Sequence, residues 1–223
     1  MDDKDLELAQ LLCTRLCHDL AGPVGAVAAG VELIGGDPAQ ADAETLGLIG
    51  NSSAAASLKL KFMRSALGVS GTTSGDPRAL LDGYLEATAG PNGKPAVTWP
   101  TPDSVTAGAT ALGAAWIQTV LNLCLLGLET QPSCRALSLQ VANGSGITLV
   151  VQATGAPDRT SSVREDIAAA VAGRTPPPLS AKTVHGNIAG RLVRAAGGTV
   201  DITAAGNAVT VTAHFPKNAP AAP

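Results

Sequence analysis

The stretch from Leu12 to Ile34 reads L-C-T-R-L-C-H-D-L-A-G-P-V-G-A-V-A-A-G-V-E-L-I. Its period is helical. Leu6, Cys13, Leu20, Val27 and Ile34 stand seven apart. Ala9, Leu16, Pro23 and Gly30 fill a second core position, and Val24 and Val31 widen the stripe. In this frame His18 is predicted to point away from the core. Ala21, Gly22 and Gly25 follow along its face, all small enough to leave the imidazole approachable. Arg15 lies one turn before it and Asp19 directly after it.

A surface histidine alone is unremarkable. The residues kept beside this one are not. Gly22, Gly25 and Gly30 each cost a helix about 1 kcal/mol relative to alanine, and Pro23 about 3 kcal/mol. Pro23 also deletes a backbone hydrogen bond and is expected to bend the helix just after His18. A neutral imidazole is a good nucleophile near neutral pH. Asp19 either orients the ring and holds its proton or is a solvated surface carboxylate. Arg15 suits an acidic partner or a phosphoryl group.

Working outward, the 223 residues allow one large domain or two small ones. The chain is 45% hydrophobic and 15% charged with net charge -3, which excludes bulk attraction to nucleic acid. Aromatics make up 2%, so alanine and branched aliphatics must build the core. Every apolar run of membrane-spanning length is interrupted by Gly, Pro or charge, so no membrane segment is expected. The acidic start M-D-D-K-D-L-E is wrong for a secretory signal. Cys13, Cys17, Cys124 and Cys134 form no zinc-like pair of pairs, and most of them are expected as reduced core residues in a cytoplasmic protein. Cys13 and Cys17 with His18 are set aside as metal ligands, because the spacing puts the thiols on the core side.

G-G-D-P ends the first helix, with Asp37 as a cap and Pro38 suited to a first helical turn. A second helix runs to about Leu67, with Leu46, Ile49, Ser53, Ala56, Leu60, Met63 and Leu67 as its core stripe. Two antiparallel helices cannot bury both stripes. A second copy completes a four-helix bundle, so a homodimer is expected, unless the C-terminal half covers the stripe. Leu58 and Phe62 lie off the stripe and are expected to pack against the C-terminal domain. Lys59, Lys61 and Arg64 make the helix end basic, which serves either the helix dipole or partner docking.

Ser70 to Asp76 reads as a linker. The domains are then 1–70, a helical hairpin, and 76–216, an α+β sandwich, with 217–223 a disordered tail. In the second domain, helices are expected over about 77–89, 109–128, 163–172 and 181–196. A short strand is expected around 97–99, then hairpins at 136–141/147–153 and 199–203/208–215. R-T-P-P-P-L, from Arg174, forms a stiff loop.

His18 to Pro23, H-D-L-A-G-P, resembles the phosphoacceptor box H-[ED]-L-x-x-P of histidine kinase dimerisation helices. The C-terminal order of elements is similar to the ATP-binding (Bergerat/GHKL-like) domain of those kinases. A closer resemblance is to the ChpT-type histidine phosphotransferases of alphaproteobacteria. These carry L-C-x-R-x-C-H-D, here Leu12 to Asp19, and F-x-R-x-A-x-G, here Phe62 to Gly68. The nucleotide boxes depart from a kinase. N-L-C-L-L-G places Leu126 where the second Asn of N-L-x-x-N-A stands. A-T-G-A-P places Ala153 and Pro157 where D-x-G-x-G has its Asp and second Gly. H-G-N-I-A-G, from His185, is a poor copy of the glycine-rich lid.

The resemblance therefore implies a degenerate domain without ATP and a phosphorelay intermediate. His18 takes a phosphoryl group from the receiver domain of a hybrid, CckA-like kinase and gives it to response regulators of CtrA-like and CpdR-like type. Mg²⁺ belongs to the receiver's acidic pocket, and no cofactor or metal to this chain. Asp19 assists His18, and Arg15, Gly22, Lys61 and Arg64 shape docking. Three rival readings are an ATP-dependent kinase with diverged boxes, a non-catalytic dimeric inhibitor, and a plain structural bundle.

Overall fold

The computed structural model describes residues 3–35, 41–68, 75–90, 93–173 and 179–217. The Asp37–Pro38 cap, the linker from 70 to 74, most of the Pro-rich loop and the tail from 218 lie outside the described residues. The fold is α+β and divides into two compact units.

The first unit contains residues 1–64 and 78–94. Helix α1 spans Asp3–Ile34 and α2 spans Ala43–Leu67. They run antiparallel: Gly30 late in α1 meets Ile49 early in α2, and Asp19 meets Lys59. Gly30 is buried because nothing larger fits. A Cβ there would come within 2.5 Å of Ile49 Cγ1. Helix α3, Pro77–Ala87, adds its apolar face from Leu81 and Leu85, both buried.

The sequence reading put α3 with the second domain. Its packing groups residues 78–94 with the hairpin instead. Leu58 and Phe62, off the α1/α2 stripe, are what holds it. Leu58 packs against Gly83, and Phe62 stacks on Tyr84 with ring centroids 4.2 Å apart at 25°. Phe62 is fully buried. Phe62→Ala is expected to destabilise the protein by about 3–5 kcal/mol, the range for emptying a buried phenylalanine site. Urea unfolding followed by circular dichroism measures it, and a loss below about 1 kcal/mol contradicts this packing.

Within this one chain the predicted stripes are only partly covered. Leu6, Val24, Val31, Leu46 and Leu60 are exposed. So are Cys13 and Cys17, which corrects their expected place in a core. The cause is the one the heptad pattern implies: two helices offer too little surface to bury both stripes.

The second unit contains residues 65–77 and 95–223. Its sheet has the order β1-β2-β3-β5-β4. The strands are β1 Ala96–Thr98, β2 Ala136–Asn143, β3 Gly146–Thr154, β4 Thr199–Ala205 and β5 Ala208–Pro216. β1 runs parallel to β2 and all other pairs are antiparallel. Strand alternation sorts the faces. Leu137, Leu139, Leu149, Val151, Val209, Val211 and Ala213 are buried on one face. The opposite face is polar: Ser138, Gln152, Thr210 and Thr203 lie in register across it.

Helices cover the apolar face. The expected single helix over 109–128 is two. α4, Pro102–Leu112, starts on a Thr101 cap whose side chain accepts from the Ser104 N–H, with Pro102 at its first position. Gly113, at φ 52°, ends it in a conformation that favours glycine, and a 3-10 turn leads into α5, Trp116–Thr130. α5 is buried from Gln118 through Gly127. Residues 102–130 are apolar and long enough to cross a membrane, but 72% of the most apolar window is buried inside the protein, as in a core helix. α6, Glu165–Ala172, and α7, Val184–Ala195, complete the layer.

Candidate functional site

The site is built on the middle of α1. The His18 side chain is 84% exposed and that of Asp19 is 17% exposed. One Asp19 carboxylate oxygen lies 3.4 Å from His18 Nδ1. Arg15 Nε donates to both Asp19 oxygens, at 3.3 and 3.2 Å. One helical turn thus sets guanidinium, carboxylate and imidazole in a chain. An i,i+4 pair of this kind contributes only a few tenths of a kcal/mol to stability, so its effect is orientation. A carboxylate can only accept. Facing Nδ1, it favours the tautomer with the proton on Nδ1, which leaves the lone pair on the outer nitrogen, Nε2. A lone pair on Nε2 can act as a nucleophile.

The approach to the ring is open. A Cβ at Gly22 or at Gly25 would meet nothing within 4 Å. Lys61 and Arg64 are exposed on α2. Arg15, expected at a docking surface, is engaged with Asp19. Sequence reasoning did not select Lys59 for the site. Its ammonium donates to the Asp19 backbone carbonyl at 3.2 Å, a contact across 40 residues that spacing along one helix cannot reveal.

In the second unit, residues from each of the three box-like motifs are buried or bonded within the fold. Leu126 and Ala153, at the positions of the metal-holding Asn and the base-reading Asp, are buried and apolar. Asn122 is buried too, and its amide donates to the carbonyls of Ala66 and Gln118. His185, in the lid-like motif, is buried with Nδ1 2.7 Å from a Glu129 carboxylate oxygen. Among the described residues no group of three or more His, Cys, Asp or Glu side chains is placed to hold a metal ion.

Comparison with known proteins supplies the family. Residues 74–208 match the family model of the histidine phosphotransferase C-terminal domain. The chain belongs to the histidine phosphotransferase family. It is 31% identical over 141 residues to the protein phosphotransferase ChpT of Brucella abortus, and the match spans 61% of each chain. A solved structure of a bacterial phosphotransferase superposes with a TM-score of 0.71 at 26% identity, over 96% of this chain and 98% of the other.

Proposed function

We propose that this chain is a phosphorelay intermediate that carries a phosphoryl group on His18. The observation that carries the reading is the exposed imidazole with Asp19 at Nδ1. In the step proposed, Nε2 attacks the phosphorus of a receiver-domain aspartyl phosphate in line. The N–P bond forms, the P–O bond to the aspartate breaks, and the carboxylate leaves with the electron pair. The Nδ1 proton stays on the ring, and Asp19 offsets the positive charge that develops there. The reverse step loads the next receiver. Positioning supplies most of the catalysis. Mg²⁺ enters with the receiver. Leu126 and Ala153 support a donor other than ATP.

The donor is the receiver of a hybrid, CckA-like kinase, and the acceptors are CtrA-like and CpdR-like response regulators, all in the cytoplasm. Gly22, Lys61 and Arg64 line the docking surface. Residues 1–70 carry the transfer chemistry, and the domain from 76 to 216 docks or stabilises. The test is radiolabel transfer: a phosphorylated receiver is mixed with the protein and the label is mapped. Label on His18 is expected. Label elsewhere or nowhere overturns the reading, as does saturable ATP binding by calorimetry.

The active form proposed is a homodimer joined as a four-helix bundle through the α1 and α2 stripes. Exposed Leu6, Val24, Leu46 and Leu60 support it, since apolar patches of this kind mark interfaces. Cys13, on the same stripe, provides the measurement. Maleimide labelling of Cys13 is expected to slow as protein concentration rises from nanomolar to micromolar. Burial pushes the Cys124 thiol up to about 12, so it stays unlabelled until the protein unfolds and serves as the internal control. A Cys13 rate independent of concentration removes the dimer.

A further inference from the structure

An α-helix pairs each carbonyl with the N–H four residues on. Pro23 has no N–H, so the helix ladder leaves the Asp19 carbonyl without its donor. Lys59, on α2, takes it up. That carbonyl belongs to the residue whose carboxylate faces His18 Nδ1. A helix with a missing rung bends and yields at that rung, and here the yielding point lies directly after the phosphoacceptor. A charged donor to the released carbonyl is a stronger hydrogen bond than the amide it replaces. It also comes from the neighbouring helix, so it ties the turn holding His18 to α2.

We propose that Lys59 is a positioning residue for phosphoryl transfer, bonded to the carbonyl that Pro23 releases and so fixing the turn that carries His18 and Asp19. The inference rests on the reading of His18 as phosphoacceptor. Pro23 and Lys59 then form one device. The proline opens a backbone acceptor beside the histidine, and the lysine closes it from the second helix. The rival account is that the lysine stem only covers apolar surface while its head finds a convenient oxygen.

The two accounts differ in a double-mutant cycle on the full chain. Lys59→Met keeps the stem and removes the donor. Lys59→Arg keeps a donor. Pro23→Ala restores the helical N–H and makes Lys59 redundant. Lys59→Met is expected to slow single-turnover transfer from a phosphorylated receiver about tenfold, short of the ~100-fold that a misplacement of 1 Å can produce. Receiver affinity should stay unchanged, and Lys59→Arg should restore the rate. In the Pro23→Ala background the Lys59→Met penalty should vanish. A second readout needs no activity: the ¹⁵N resonances of the His18 ring, which report its tautomer. Lys59→Met should move them in the natural background and leave them in place in Pro23→Ala. Equal penalties in both backgrounds, or unmoved rates and ring resonances, overturn the proposal. Should the Met variant not fold, Lys59→Leu, which also lacks a donor, takes its place. A natural protein that places no label on His18 sinks the phosphoacceptor reading, and the ring resonances then decide the Lys59–Pro23 coupling by themselves.

Discussion

Replacing His18 with alanine is expected to abolish label transfer in both directions while leaving the fold and receiver binding intact. The side chain is 84% exposed and its ring meets the Asp19 carboxylate at 3.4 Å, so truncation empties no core. Surface substitutions of this kind change stability by less than about 0.5 kcal/mol. Thermal unfolding should therefore match the natural chain within error, and receiver affinity by calorimetry should change little. Transfer should fall to the background of receiver self-hydrolysis, because the proposed N–P bond forms on the His18 ring. A His18→Ala protein that still carries label would place the chemistry elsewhere. One that fails to bind the receiver would make His18 a docking residue.

Asp19→Asn is expected to slow transfer by about 100-fold, at the low end of what a positioned acid–base group contributes. Two effects add. The carboxylate accepts only, and so selects the Nδ1–H tautomer, whereas an amide presents a donor or an acceptor with nearly equal ease. The carboxylate also faces the positive charge that grows on the ring as Nε2 bonds to phosphorus, and a neutral amide gives up that attraction. The ion pair between Arg15 and Asp19 is lost in the same variant. The loss should appear in the single-turnover rate and not in receiver Kd. An unchanged rate would reduce Asp19 to a solvated carboxylate held by Arg15.

Much of the site is legible in the sequence because it is local. His18, Asp19 and Arg15 fall within five consecutive positions of one helix, and the 3.6-residue period alone brings them together. The apolar replacements Leu126 and Ala153 are equally plain, since they are substitutions inside recognisable boxes. What escaped is non-local. Lys59 reaches Asp19 from the opposite helix, in the same register that sets Gly30 against Ile49. Pro23 was visible as an anomaly, but the partner of the carbonyl it releases was not. α4 was missed for a different reason. Its body is rich in Ala and Thr and has little periodicity, although Thr101-Pro102 is a start signal legible in the sequence. β5 lies between β3 and β4, a placement that connection order does not dictate.

The grouping of α3 with the hairpin has a consequence for how this protein can be cut and inherited. The chain crosses between its two compact units after Arg64, after Pro77 and after Lys94. Neither unit is a contiguous run of codons. A single protease nick, or a single recombination point in the gene, cannot release one unit whole, because each break leaves part of one attached to the other. A truncation beginning at residue 74, where the family's C-terminal domain is matched, takes Tyr84 away from Phe62. The two halves are therefore bound to travel, and to be selected, together.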